Sequence, residues 1–492
     1  MSLLPAVTCA AEEAQWTPDT PIVLEGMVPQ GTPLVGHLMA TRDGNSDVMS
    51  ALSVCRAAGM DAEAVRRAFR APTLNASIGL SEDPSDVPNG SFSTGVASDS
   101  ASVQAGVEAP LVTGVYGGVG ARHQVLRTGT ETDGEDRDAV GGYLRVPLGK
   151  DFGFAQNRFE VETLTHEEQV AIHQYRAALY DAWTAVTDAY AQYLFRIADA
   201  TEVSNALSRA EQLVEDATER ARLEDVAEYQ VYPARYEAAT RAEELAEAKT
   251  QILVARETLR QAVGMTFDET DTLAASPEAA YAFLSAWVEA LNGADLSEVL
   301  AADPEKTCHE VLSSQASYQA ALSRSKSAEE AEAASLDLNL GAGWHSEEDD
   351  TTLNETGYTV SLVYARPLSR GGSRAKIDAA KYRVDAAMHD YAAAVLKAKV
   401  RREKAVAALE SVRGRCRQAK ATVEAARQVL ESENERFAIG DGSSRNVLDA
   451  QKDLTTARRR ELSVSLEVVT AMAELYRASG LPPSIMLESL PL

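Results

Sequence analysis

The chain has 492 residues, of which 45% are hydrophobic and only 6% aromatic, and its formal net charge is −27. Wrapping nucleic acid needs a basic surface, so that class of function is excluded. No stretch approaches the roughly 18 apolar residues of a membrane-spanning helix. That excludes an inner-membrane helical protein, but not a β-barrel, whose strands are short and only alternately apolar.

Residues 1–37 form an N-terminal segment. Leu3-Leu4-Pro5-Ala6-Val7-Thr8-Cys9-Ala10-Ala11-Glu12 is similar to the tail of a signal peptide, but no Lys or Arg precedes Arg42. With the basic region missing, both a truncated signal peptide and an ordinary chain terminus stay open. A short helix follows. Then come four segments with period-two patterning: Leu74 to Leu80, Val103 to Ala109, a Gly-rich Val115 to Arg127, and Val140 to Leu148. Alternation gives one apolar and one polar face. Lengths near ten residues suit tilted transmembrane strands, and the long polar connections suit the outer side of a barrel. A soluble β-sandwich has the same patterning. The run Gly114 to Gly120 lacks the Lys-Ser/Thr and helix of a phosphate loop.

From about Ala155 to Leu223 there is neither Pro nor Gly. An unbroken helix there spans roughly 100 Å. Leu179, Trp183, Val186, Tyr190, Tyr193 and Ile197 recur at 4-3-4-3-4 spacing, and Val203, Leu207, Ala210, Val214 and Ala217 resume it after one skip. That is a coiled-coil seam with a register shift. The rod turns back near Pro233, which is tolerated at a helix start. The second half repeats the plan with strands Leu336 to Trp344 and Tyr358 to Tyr364, then a rod from Ser373 to Ile439. Its turn is Ile439-Gly440-Asp441-Gly442-Ser443-Ser444. The glycines are expected to supply positive φ, and Ser443 or Ser444 to cap the returning helix.

The halves are copies. A slide of 216 residues sets Arg220, Asp225, Val231, Ala234 and Gly264 on Arg436, Asp441, Val447, Ala450 and Gly480, among nine identities in 45 ungapped positions. The expected organisation is a first repeat over 38–264, a linker over 265–288, a second repeat over 289–480 and a tail over 481–492.

Nothing calls for catalysis. The four cysteines form no C-x-x-C pair, so no zinc site is expected, and nothing supports a disulfide. The seven histidines are dispersed, and His166-Glu167-Glu168-x4-His173 lacks the spacing of a zinc-protease helix. No Gly-x-Ser-x-Gly elbow occurs. No cofactor and no metal are expected.

Arg436-Phe437-Ala438-Ile439-Gly440-x6-Val447-Leu448-Asp449-Ala450-Gln451-x2-Leu454 resembles the TolC-like outer-membrane efflux family. So do the strand-to-helix junctions Arg366-Pro367-Leu368-Ser369-Arg370-Gly371-Gly372 and Val146-Pro147-Leu148-Gly149-Lys150. The resemblance covers about residues 38 to 485. It implies a homotrimer in the cell outer membrane, with one shared β-barrel continued by a long periplasmic α-helical barrel. It implies an exit duct for efflux or type I secretion, partnered by a periplasmic adaptor and an inner-membrane transporter. Carried over to this chain, the adaptor-contact tips are Arg436, Gly440, Asp441, Gly442, Ser443 and Ser444, with Arg220, Leu223 and Asp225 in the first copy. The channel constriction is Asp449, Asn446 and Gln230. The family plan has four strands per chain. The pair near residues 103 to 127 is additional, which leaves two arrangements open: six strands in the wall, or an external hairpin. The alternative reading is a soluble or peripheral coiled-coil structural or adaptor protein with no membrane barrel.

Overall fold

The computed structural model describes residues 33–68, 71–81, 98–111, 114–128, 135–150, 152, 155–223, 231–264, 277–346, 353–366, 370–439 and 441–482. The signal-peptide-like segment through residue 32 lies outside them. The chain divides into two units. One comprises Ala57–Gln169 and Gln315–Asp390, the other Met1–Arg56, Val170–Ser314 and Tyr391–Leu492.

The first of these units holds the sheet. Its strands are β1 (Thr73–Ser81), β2 (Ser98–Pro110), β3 (Tyr116–Thr128), β4 (Glu135–Pro147), β5 (Ser335–Ser346) and β6 (Leu353–Ala365). They form one antiparallel sheet in the order β1-β2-β3-β4-β5-β6. The additional pair is therefore not an external hairpin. β2 and β3 sit between β1 and β4 and are hydrogen-bonded on both sides.

Register decides the faces, because directly opposed residues share one. One rung reads Leu74, Val107, Val119, Gly142, Ala342, Tyr358 across all six strands. Two residues along, the same face carries Ala105, Ala121, Val140 and Trp344. In the other direction it carries Leu144, Leu340 and Val360. The large members of this face are solvent-exposed in the single chain: Ile78 is 77% exposed, Val119 65%, Val360 74% and Leu362 63%. The opposite face carries Asn75, Ser77, Gln104, Glu108, Arg122, Arg145, Asn339, Thr359 and Ser361. One apolar face of this extent is far beyond the scattered apolar residues of an ordinary surface.

A polar stitch ties the additional pair to its neighbours. Glu108 of β2, Gly118 of β3 and Tyr143 of β4 stand on one rung. Glycine at 118 leaves space for the Tyr143 ring, which lies over β3 and donates its hydroxyl to Glu108. Arg145 also reaches Glu108, at 3.1 Å, and its guanidinium lies 4.3 Å from the Tyr116 ring centroid.

The second unit is helical. Its elements include α1 (Pro33–Gly44), the start of α2 (Ser46–Ala68), most of α3 (Ala155–Arg222), and α4 (Val231–Val263). It continues with α5 (Pro277–Gly293), α6 (Ser297–Ala301), α7 (Pro304–Thr307), the start of α8 (His309–Ala331), most of α9 (Arg370–Ala438), and α10 (Ser444–Ser479). The 68 and 69 residues of α3 and α9 match the two expected rods. The seam on α3 is the buried stripe: Leu179, Trp183, Val186, Tyr190, Tyr193 and Ile197 are all 6% exposed or less. No described helix is long and apolar enough to cross a membrane.

The duplication is legible in the helix ends. Gly264 and Gly480, 216 apart, both have positive φ, at 78° and 69°. Each ends a long helix against the turn between two earlier ones. A Cβ on Gly264 would lie 2.6 Å from the Gly44 carbonyl, and one on Gly480 would strike Thr307. The turns are tied by matching bonds, Asn45 Nδ2 to the Ala262 carbonyl at 2.9 Å and Thr307 Oγ1 to the Ser479 carbonyl at 2.5 Å.

Candidate functional site

The second hairpin turns between α9 and α10. The Asp441 N–H donates to the Arg436 carbonyl at 2.9 Å, which closes the end of α9. Ser443, with extended φ and ψ of −99° and 151°, is the N-cap of α10. Its Oγ accepts from the Asn446 N–H at 3.3 Å and donates to Asn446 Oδ1 at 3.1 Å. Ser443 thus caps, and Ser444 is the first helical residue. Gly442 has a role other than the one expected of it. It is not among the positive-φ glycines; instead a Cβ there would lie 2.9 Å from the Phe437 nitrogen. The constraint is close backbone approach. Gly440 lies outside the described residues.

The first hairpin is described as far as Leu223, which is 60% exposed. Asp225 and Gln230 lie outside the described residues. Arg220 is directed at the other hairpin: its Cζ lies 4.0 Å from the Phe437 ring centroid, and Nη1 donates to the Phe437 carbonyl at 3.1 Å. Arg436, its copy, pairs within its own hairpin, with Glu433 at 3.0 Å and Asp441 at 3.7 Å.

Beneath the tips, Leu213 of α3, Ala234 of α4, Leu430 of α9, and Val447, Ala450 and Leu454 of α10 form one buried cluster, with Phe437 packed on it. Four helices therefore share one core at this end. Asn446 and Asp449 are exposed on α10, three residues apart and so on one face. Asn446 is engaged in the cap, which leaves Asp449 as the exposed carboxylate of the expected constriction.

Two buried polar groupings escaped sequence reading. Asp199 of α3, 4% exposed, takes a two-pronged contact from Arg459 of α10, at 2.7 and 3.1 Å. One turn on, Glu202 holds Arg458 and Arg209, each at 2.9 Å. Acids on a Glu-rich helix read as solvated, and only the partner helix reveals otherwise. The second grouping is His173 and His309, stacked at 5.5 Å between ring centroids, with Tyr180 tilted against His309 at 5.1 Å. Burial lowers both imidazoles, His173 to about 4 and His309 to about 3. The two histidines are 136 residues apart in sequence, so no spacing signals them. No cluster of three or more potential metal ligands occurs among the described residues. Cys308 and Cys416 are free and buried, Cys55 is buried, and Cys9 lies outside the described residues.

Comparison with known proteins follows the same lines. Residues 305–481 match the family model described as outer membrane efflux protein. A search of curated proteins finds no match. Among solved structures, the chain is similar to the outer membrane protein VceC of Vibrio cholerae, with a TM-score of 0.63 and 17% identity over 91% of this chain and 96% of that one. It is similar to the outer-membrane channel OprN, with a TM-score of 0.65 and 17% identity over 92% and 90%. It is also similar to the CmeC outer membrane channel of Campylobacter jejuni, with a TM-score of 0.62 and 15% identity over 91% and 85%. At these identities the likeness shows the fold. Residues 305–481 thus match the outer membrane efflux protein family model, and the chain as a whole has the fold of the outer-membrane channels.

Proposed function

We propose that this protein is the outer-membrane exit duct of an efflux or type I secretion system. In this reading it is a passive channel that an inner-membrane pump drives through a periplasmic adaptor. The observation that carries the reading is the single apolar face that runs through all six strands. An exposed face of that kind is costly in water and suited to lipid. In a bilayer the unpaired edges of β1 and β6 must close on something, because unsatisfied backbone groups are not tolerated there. Six strands are also fewer than the smallest membrane barrel of one chain, which has eight. Both points support a barrel shared among copies, and the channel-like fold supports three of them. The two repeats, 38–264 and 289–480, then each supply strands to the wall and a hairpin to the periplasmic tube. The chemistry proposed is conduction.

The tips are assigned to adaptor contact at Arg436, Gly440, Asp441, Gly442, Ser443 and Ser444, and at Arg220, Leu223 and Asp225. The constriction is assigned to Asp449, with Asn446 and Gln230. Three Asp449 carboxylates around one axis favour cations over anions. Imaging of detergent-extracted particles tests the whole reading. The expected result is a three-fold tube with one wide β end. Monomeric particles in the soluble fraction would instead establish the coiled-coil adaptor alternative.

A further inference from the structure

We infer that the shared barrel has eighteen strands, with β1 of each copy paired to β6 of the next, and that a girdle of glycines lines its lumen. This rests on the trimeric duct proposed above and goes beyond it in strand count, closure and lumen. The family plan of four strands per chain gives twelve. Here the additional pair is stitched into the wall. Its apolar side chains continue the lipid-side face through Ala105, Val107 and Ala109 of β2 and Val119 and Ala121 of β3, up to the His123–Asp138 pair on the next rung. Peeling it away would strip β1 and β4 of their partners and expose Val103, Val107 and Val119 on a detached hairpin. Three copies of one six-stranded sheet make eighteen strands. That count falls in the range whose interiors hold an aqueous channel. Because barrel diameter grows roughly linearly with strand number, the lumen is about half again as wide as with twelve.

The rung that begins at Asn75 supports closure in this sense. It reads Asn75, Gly106, Gly120, Gly141, Gly343, Gly357 across six strands, on the polar face. The glycines are required by close approach. A Cβ on Gly106 would lie 3.1 Å from the Val119 carbonyl, one on Gly141 2.9 Å from that of Ala342, and one on Gly343 2.7 Å from that of Val140. Backbones that crowd along one rung mark a bend toward that face, and glycine is the residue that permits it. The row of glycines runs through β2 and β3 as it does through β4, β5 and β6, with the tightest approach between β4 and β5. The additional pair therefore bends with the rest of the wall. At this level the polar face carries almost no side chains, while the next rungs on either side carry Gln104 with Arg122 and Glu108 with Tyr143.

Cysteine cross-linking on the lumen face tests the closure. In a background with the native cysteines replaced by serine, Asn75→Cys is combined in turn with Thr359→Cys, Ser361→Cys and Val363→Cys on β6, which spans the unknown register. A second series pairs Asn75→Cys with Ala139→Cys on β4. In the six-stranded sheet β1 and β4 are three spacings apart, roughly 14 Å, beyond disulfide reach. The expected result is oxidised dimers and trimers from one β1–β6 pair and no link between β1 and β4. A fast-migrating, internally linked monomer from Asn75→Cys with Ala139→Cys overturns eighteen strands in favour of twelve. Membrane-extracted trimers that cross-link in neither series overturn the closure while leaving the duct intact. A chain absent from membranes overturns the duct itself, and the barrel with it.

Discussion

Arg220, at the end of the first rod, lies over the ring of Phe437 at the end of the second, and donates to that residue's carbonyl. The two tips are thereby clamped by a residue whose copy, Arg436, pairs with Glu433 and Asp441 of its own hairpin. The copies have diverged at this point: position 221, the counterpart of Phe437, is alanine. A stacked and hydrogen-bonded guanidinium is worth on the order of 1–2 kcal/mol. We predict that Arg220→Ala and Phe437→Ala each lower the thermal stability of the extracted protein. The double variant should be destabilised by less than the sum, by about 1 kcal/mol. Strict additivity in that cycle rejects the clamp.

The histidine pair predicts a pH dependence with a definite sign. Both folded-state values lie below the ordinary imidazole value, chiefly through burial and then through Arg176 and, for His309, His173. The neutral forms are therefore favoured by folding. Stability is complete above about pH 6.5 and falls as the pH drops toward about 4 for His173 and about 3 for His309. Asp188, raised to about 7 mainly by burial and by Glu474, acts in the opposite sense. It weakens the fold as the pH rises from about 4 to about 7. Melting curves across this range separate the two. His309→Phe is expected to flatten the acid limb. Asp188→Asn is expected to raise the melting temperature more at pH 8 than at pH 5. An acid limb that is unchanged in His309→Phe assigns the sensitivity elsewhere.

How far the sequence was readable follows the range of each interaction. The rods, the α3 seam and the terminal glycines are local patterns, and Gly264 and Gly480 act as helix ends in both copies. The six strands were visible as alternation, because each residue's face depends only on its own parity. Their order was not visible. β2 and β3 are held in the sheet by backbone pairing to β1 and β4, and Tyr143 reaches Glu108 over Gly118; these are contacts between strands, which no single segment records. The buried Asp199–Arg459 and Glu202–Arg458 pairs were invisible for a similar reason, since a helix pattern cannot name its partner helix. Gly442 differs in kind: its place in the turn is legible from the sequence, but its constraint is space and not φ.

Parity along β6 yields a prediction that separates lipid from lumen within two adjacent residues. Leu362 lies on the apolar face and Ser361 on the polar one. An arginine on the lipid side near the bilayer midplane costs about 2–4 kcal/mol, whereas lumen substitutions are tolerated. Leu362→Arg should therefore reduce the yield of membrane-extracted trimers sharply, and Ser361→Arg should not. Equal behaviour of the two variants rejects a lipid-facing sheet.

Asp449 carries the prediction for conduction. It is exposed six residues beyond the Ser443 cap, where the first copy has Pro233. A trimer thus presents three carboxylates at this level, not six. Asn446 adds no charge, and its side-chain oxygen already accepts from Ser443. A ring of Asp449 alone would therefore be weak, and its removal should alter selectivity more than stability. In planar bilayers Asp449→Asn is expected to shift the reversal potential toward lower cation preference under a salt gradient. Its melting temperature should stay close to that of the parent, because the residue lies outside the Val447, Ala450 and Leu454 core. Since exposed charges are screened over about 8–10 Å at physiological ionic strength, the shift should shrink at high salt. A reversal potential identical to the parent's at low salt places the constriction at another residue.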